Sequence, residues 1–372
     1  MANRVGKVVI IGGGVVGLST AYFMAQQGVT STVVERDAVA SHSSGFAYGG
    51  LSSISISPLE RPLEVIANDG MNIHRYMGSM LEKKTRINTG YGKKSLLSLV
   101  FDESSIPTIQ EHVKQRQSHP DYTVTLLSPK ETRNLEPRVS ENIKAAVLIE
   151  GSAEVDPLKF NLALAKLIEG MGTRIIQGTV TNVAVDNGRV SGVVIDNQIL
   201  HCDHLVIAMG PWSTWVGEWL GFEVNVTPLK GQIVRLKVSG DPIRYSVGWD
   251  GNYASTKPDG LVWAGTTEEW VGFDETPTQS GREDITRSLL KMMPYIENAQ
   301  LVQHTACLRP VTPDRLPILG YAPNVRGIFL ATGAERKGIV LGPSMGRITA
   351  DMIINESSNI PIDPFSPTRF NS

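Results

Sequence analysis

Residues 7–18, KVVIIGGGVVGL from Lys7 to Leu18, are the stretch that decides the fold. Lys7–Ile11 is short, β-branched and apolar on both faces, the pattern of a parallel strand covered on both sides. A basic residue before an apolar run also fits a secretory leader. The three consecutive glycines and the lack of a small-residue cleavage site after them speak against that reading. Gly12-x-Gly14-x-x-Gly17 instead opens a helix expected to run through Gln27, with Ala21, Phe23, Met24 and Ala25 as its packing surface. Gly28 stands where a helix-terminating glycine belongs. A second strand, Ser31–Val34, ends in Glu35, 23 residues beyond Gly12.

Strand, glycine turn, helix, strand and acid in this order form the dinucleotide-binding fingerprint. Gly12 permits the tight turn, Gly14 lets the backbone approach a pyrophosphate, and Gly17 allows close helix–strand packing. The helix N-terminus at Val15 and Val16 offers free N–H groups and a positive dipole end to phosphates. Glu35 is placed to accept hydrogen bonds from the adenosine ribose. The fingerprint alone does not separate NAD from FAD.

Composition narrows the function classes. At 372 residues the chain predicts two domains, each with its own core. Lys+Arg 35 against Asp+Glu 37 gives a net charge of −2, which offers no electrostatic basis for a nucleic-acid partner. Cys202 and Cys307 are the two cysteines, too few for a disulfide framework, and a reducing, cytoplasmic location is expected. The apolar runs fall short of the ~20 residues of a membrane span. The seven histidines show no HxH or HExxH spacing, so no metal site is expected. The 36 glycines are close to a tenth of the chain, above the usual ~7%.

The next segment favours FAD. SHSSGFAYGG (Ser41–Gly50) reads as a loop, too polar and glycine-rich for a helix. With Arg36 before it, its small residues Ser43, Ser44, Gly45, Ala47, Gly49 and Gly50 suit a backbone running along a pyrophosphate and under a flavin ring. In an NAD enzyme this region would more often carry another βα unit.

Four segments spread over nearly the whole chain then carry a resemblance. They are GGGVVGLSTAYFMAQQGVTSTVVER followed by SHSSGFAYGG, HLVIAMGPWS (His204–Ser213), CLRPVTPDRLPILG (Cys307–Gly320) and GIFLATGAERKGIVLGPSMG (Gly327–Gly346). Together they resemble the D-amino acid oxidase superfamily of FAD enzymes, closest to its glycine oxidase and sarcosine oxidase branch. The resemblance implies an α/β fold: a Rossmann-type, glutathione-reductase-like FAD domain with a second α+β substrate domain built on an antiparallel sheet. It implies that the Val180 backbone meets the adenine and that Gly210 and Trp212 lie near the flavin. It also implies that Gly333, Arg336, Lys337, Gly338 and Ile339 form the C-terminal flavin loop.

The FAD domain is expected to be discontinuous, built from residues 1–85, 150–220 and 310–372, and the substrate domain from 86–149 and 221–309. Thr179–Asp186 and Val190–Asp196 read as a hairpin turning at Asp186-Asn187-Gly188, followed by a strand at Leu205–Met209. Gln232–Val238 alternates as a half-solvated strand, and Gly251–Thr267 reads as a hairpin turning at Pro258-Asp259-Gly260. Ser280–Met293 has helix spacing, and Pro361–Ser372 reads as a loose tail.

A flavin carries its own redox chemistry, so the residues to seek are those that hold the substrate. An amino acid offers its carboxylate, and the planar fork of Arg matches it with two hydrogen bonds. Arg309 of ACLRPVT matches the family arginine that binds substrate carboxylate; the alternative is an ion pair with a buried acid. Tyr253 of GNYASTKPDG aligns with a carboxylate-binding tyrosine, or is an ordinary strand aromatic. Arg336 matches an arginine beside the flavin, or serves in a salt bridge. The resemblance implies oxidative deamination of a small amino acid or N-alkyl amino acid (glycine, sarcosine or a D-amino acid). In it the α-carbon hydride passes to flavin N5, and the imino acid becomes a 2-oxo acid.

Cys307 falls where sarcosine oxidases attach FAD through a thioether, although glycine oxidases, whose Leu-Arg-Pro motif this chain shares, hold FAD non-covalently. Trp212, Trp215 and Trp219, and Trp249, Trp263 and Trp270, read as core packing or pocket walls. The strand GLVWAGT lacks the lysine that assists oxygen in sarcosine oxidases, which leaves oxygen, a quinone or a carrier protein as acceptor. The expected partners are thus an amine or amino acid and that acceptor, with self-association into a homo-oligomer also open. Two other readings stand beside this one: a quinone-linked D-amino acid dehydrogenase, and a non-catalytic assembly factor that retains FAD.

Overall fold

The computed structural model describes residues 5–56, 59, 61–296 and 298–370. Val8–Ile11, buried along its length, is an inner strand of a six-stranded sheet. It pairs in parallel with Ser31–Glu35 and His204–Ile207, so that Ile11 lies beside Val34 and Ile207. Arg174–Gln177 and Ile328–Thr332 continue the parallel order outward, and Ile318–Tyr321 closes one edge antiparallel.

Alternation along the first strand builds two layers. Val8 and Ile10 join the core formed with the helices Val15–Gln26, Arg61–Thr85, Pro157–Gly170 and Gly338–Asn355. Val9 and Ile11 face the other way, into a core shared with Val180, Val183, Val190 and Val193. Those valines belong to an antiparallel sheet of Val180–Asp186, Arg189–Ile195 and Gln198–His201. The expected hairpin therefore has a third strand. It follows because Asp196 and Asn197 both take left-handed φ, 48° and 61°, as Asn187 and Gly188 do at the first turn.

The second large sheet has eight strands in the order Gln300–Val311, Thr227–Lys237, Val262–Gly265, Asn252–Thr256, Ser246–Trp249, Leu96–Val100, Ala145–Glu150 and Thr123–Leu127. Its neighbours are antiparallel except at one place. Ser246–Trp249 runs parallel to Leu96–Val100, with Val247 beside Leu97, where two separate stretches of chain meet. The longest pairing joins Thr227–Lys237 to Gln300–Val311, with Gly231 opposite Cys307 and Leu229 opposite Arg309.

Two local expectations are corrected. Ser43–Phe46 is a single helical turn rather than loop: the Gly45 and Phe46 N–H groups donate to the His42 carbonyl at 2.9 and 3.1 Å, and Asn161 donates from its side chain to the Ser44 carbonyl at 3.2 Å. The C-terminal segment is not loose as far as residue 370. Phe365 is buried, and Arg369 forks onto Asp314 at 2.7 and 2.9 Å; residues 371–372 lie outside the described residues.

Candidate active site

The carboxyl ends of the parallel strands, at Ile11, Glu35, Ala208 and Thr332, open into a cavity of about 380 Å³. Ligands of open α/β sheets bind at such crevices. The far wall comes from the eight-stranded sheet, through Gly231, Ile233, Tyr253, Thr266, Cys307 and Arg309.

At the near end the glycine turn is tightly built. Gly12 has φ +110°, and a Cβ there would stand 2.3 Å from the Ala208 carbonyl oxygen. A Cβ on Gly14 would meet Ser44 Oγ at 2.9 Å, and that hydroxyl accepts the Val15 N–H at 3.0 Å. Glu35 accepts the Gly13 N–H at 2.6 Å through Oε2 and the Asp37 N–H at 2.9 Å through Oε1, so it braces the turn besides lining the cavity. Val15, Val16, Arg36, Ser43, Ser44 and Ala47 also line this cavity, as do Gly49, Gly50, Val180, Gly210 and Trp212.

Gly17 and Gly45 do not line it. Their Cβ atoms would lie 2.0 Å from the Gly12 oxygen and 2.1 Å from the Ala40 oxygen, so both are packing positions. Gly333, Arg336, Lys337, Gly338 and Ile339 form the opposite lip, where no side chain caps the Gly338–Asn355 helix and its first N–H groups are left for other partners. Burial pushes the Lys337 ammonium below its ordinary pKa, with Glu335 opposing.

Arg309 donates to the Thr267 carbonyl at 3.0 Å and to Thr266 Oγ1 at 2.6 Å, and no carboxylate among the described residues pairs with it. Its guanidinium lies flat across Gly231, where a Cβ would stand 1.9 Å from Nη2. Tyr253 lies beside it, its hydroxyl 2.7 Å from where a Cβ on Gly265 would be and without a hydrogen-bond partner among the described residues. Arg336 is differently placed. It pairs with Glu268 at 2.7 Å and donates to the Gly251 carbonyl, and a Cβ on Gly251 would meet its Nη1 at 2.9 Å. Cys307 is buried on the same wall, and burial pushes its thiol up to about 11.

Three lining side chains escape a reading by motif: His42, Tyr48 and Thr266. His42 bridges Asp37 at 2.8 Å and Glu275 at 3.0 Å, and its pKa is raised chiefly by the Glu275 hydrogen bond. Trp212 packs against His42 and carries the Arg36 guanidinium over its ring at 4.7 Å. Between His42 and Gly50, Tyr48 is the one bulky residue with a polar group, the signal that marks it. Of the other tryptophans, Trp215 lines the cavity and packs on Phe273, whereas Trp263 is buried beneath Arg235 and Trp270 is exposed. Among the described residues no three His, Cys, Asp or Glu side chains gather as a metal site. Nor is any helix among them long and apolar enough to cross a membrane.

A parallel sheet with a glycine turn at its crevice and a second sheet closing the cavity is the arrangement of a dinucleotide-binding protein. The chain belongs to the DAO family of FAD dependent oxidoreductases, which its residues 7–352 match. It is 28% identical over 368 residues to the glycine oxidase of Pseudomonas putida, covering 97% of this chain and 98% of that one. The crystal structure of glycine oxidase from Geobacillus kaustophilus superposes with a TM-score of 0.93 at 26% identity, covering 98% of each chain. That of iminodiacetate oxidase from Chelativorans sp. BNC1 gives 0.90 at 23% identity over 97% of this chain and 98% of that one, a likeness of fold. The chain is thus an FAD-dependent enzyme, and its residues fit that cofactor: a turn at Gly12 and Gly14 with no room for a Cβ, and uncapped helix N–H groups at the other lip.

Proposed function

We propose that this protein oxidises a small amino acid or N-alkyl amino acid at its α-carbon, the reading favoured by the glycine oxidases among its relatives. The observation that carries it is Arg309. A guanidinium held only by a carbonyl and a hydroxyl, with no carboxylate partner among the described residues, is an anion site awaiting its anion. The free Tyr253 hydroxyl beside it supplies a further donor.

Residues 1–85, 150–220 and 310–372 make the cofactor lobe in this reading, and 86–149 and 221–309 the substrate lobe. Gly12, Gly14 and the Val15 helix end would hold the pyrophosphate, Glu35 the ribose, Val180 the adenine edge, and Gly338 and Ile339 the pyrimidine carbonyl. Bound FAD supplies the acceptor for the hydride leaving the substrate α-carbon, after which the imino acid hydrolyses to a 2-oxo acid. Arg309 and Tyr253 fix the carboxylate, so the α-carbon is presented in one orientation. Arg336, already committed to Glu268 and the Gly251 carbonyl, contributes its field at the mouth rather than a free fork. Cys307 stays a neutral thiol beside the ring site, which suits a non-covalent cofactor.

Anaerobic titration of the FAD-loaded protein with glycine, sarcosine, proline and D-alanine tests this. Bleaching of the flavin by at least one of them is expected, and no bleaching by any overturns the reading. Reoxidation of the bleached protein by oxygen identifies an oxidase; reoxidation only by a quinone or carrier identifies a dehydrogenase. Arg309→Ala is expected to weaken substrate binding by ~2–5 kcal/mol, the range for breaking a buried charged pair.

A further inference from the structure

We propose that Tyr48 is the specificity-determining residue of this cavity, setting how large a group the α-carbon of the substrate can carry. The inference rests on the reading that Arg309 and Tyr253 anchor a carboxylate.

The Tyr48 ring stacks on Tyr253, with centroids 3.9 Å apart and planes at 29°. Its hydroxyl is hydrogen-bonded to Ser246 Oγ at 2.6 Å, which draws the far end of the ring toward the eight-stranded sheet. The Lys257 ammonium lies over the same ring at 4.9 Å. Lys257 is itself fixed: 3% exposed, it pairs with Glu154 at 2.9 Å and donates to the Val155 carbonyl at 3.3 Å. Glu154 is held in turn beside Lys94, whose ammonium donates to the carbonyls of Ile243 and Thr256 at 3.1 and 3.0 Å.

Tyr48 therefore has a stacked face, a bonded hydroxyl and a fixed cation over its ring. A side chain so constrained does not swing aside when ligand enters. It comes from the small-residue loop of the cofactor lobe yet lines the cavity beside Tyr253. The stacked pair thus forms a rigid side wall of the cavity next to Arg309, and the substituent on the α-carbon of an anchored carboxylate would lie against it. A wall held at its face, its hydroxyl and its ring does not yield to a larger group, so it disfavours branched and aromatic substituents. Purely structural packing would affect every ligand alike; a specificity wall changes the ratio between large and small ones.

Unreactive monocarboxylates report that ratio without turnover. Binding of acetate, propionate and phenylacetate to the FAD-loaded protein is measured by calorimetry in wild type, Tyr48→Phe, Tyr48→Leu and Tyr48→Ala. Wild type and Tyr48→Phe are expected to bind acetate at least tenfold more tightly than phenylacetate. In Tyr48→Ala that preference is expected to fall at least tenfold, with Tyr48→Leu between; should the alanine variant not fold, the leucine variant decides. A preference unchanged in the folded small variants overturns the proposal, as does a wild type that takes phenylacetate as tightly as acetate or binds none of the acids. Failure of amino acids to bleach the flavin overturns the oxidase reading alone, because the acid series is read without it.

Discussion

Gly231→Ala probes the proposed carboxylate anchor without replacing a charged residue. Gly231 lies within Thr227–Lys237, outside the left-handed region, so alanine suits the strand backbone at least as well as glycine. The added Cβ would stand 1.9 Å from Nη2 and 2.2 Å from Cζ of Arg309, where ordinary contact begins near 3.4 Å. The guanidinium must therefore retreat by roughly 1.5 Å, more than its bonds of 3.0 and 2.6 Å to Thr267 and Thr266 can stretch and survive. A 1 Å misplacement of a positioning group can cost about 100-fold, and overpacking a core about 1–3 kcal/mol. The expected result is an acetate Kd and a substrate KM raised about 100-fold, with FAD retained and unfolding by urea shifted by no more than ~3 kcal/mol. Calorimetry, anaerobic flavin reduction and urea titration read the three quantities. An unchanged Kd for acetate in a folded Gly231→Ala protein would refute the assignment of Arg309 as the anchor. Combining Gly231→Ala with Arg309→Ala should add little to the second change alone, since both act through one contact.

Four further outcomes follow from the same geometry. His74 is buried against the Ile339 carbonyl at 2.7 Å, and desolvation lowers its pKa to about 4 from 6.5. Because the folded value is depressed, stability is full above pH 6.5 and lost as pH falls toward 4, by about 3 kcal/mol; His74→Gln should flatten that slope in urea titrations. The Cys307 thiol, raised to about 11, stays protonated at neutral pH, so acid-precipitated protein should be colourless with all flavin in the supernatant, and a yellow pellet would contradict this. His42 is raised by Glu275, so its bridge is fully present below pH 6.5 and lost as pH climbs through the raised value. FAD release should quicken with rising pH in wild type and depend less on pH in Glu275→Gln, where Asp37 alone of the two acids still holds His42, as followed by flavin fluorescence. Gly17→Ala places a Cβ 2.0 Å from a backbone oxygen that cannot move alone, and should yield protein without flavin.

What could be read from the sequence was local. The run from Val8 to Glu35 needs only its own periodicity and its glycines, and the structure departs from the reading there by a residue at most. The helical turn Ser43–Phe46 has Asn161, far along the chain, holding one of its carbonyls. The C-terminal segment needed Asp314. The strand Gln198–His201 hid behind a turn made by Asp and Asn rather than glycine. Within the site, Arg309, Tyr253 and Arg336 were nameable because they sit in motif-like surroundings, and all three line one cavity. That Glu268 takes up Arg336, or that Ser246, Tyr253 and Lys257 converge on Tyr48, depends on contacts between distant stretches that no pattern in either records.

Beneath each of those three side chains lies a glycine: Gly231 under Arg309, Gly265 beside Tyr253 and Gly251 against Arg336. Each of these side chains therefore rests against a hydrogen atom where any other residue would place a carbon. A methyl group at Gly231 or Gly265 displaces one side chain while leaving its chemistry intact, whereas at Gly251, with φ +76°, it also strains the backbone. If these side chains hold substrate, its preference can drift through Gly251 and Gly265, which do not line the cavity, and a comparison restricted to lining residues would miss that change.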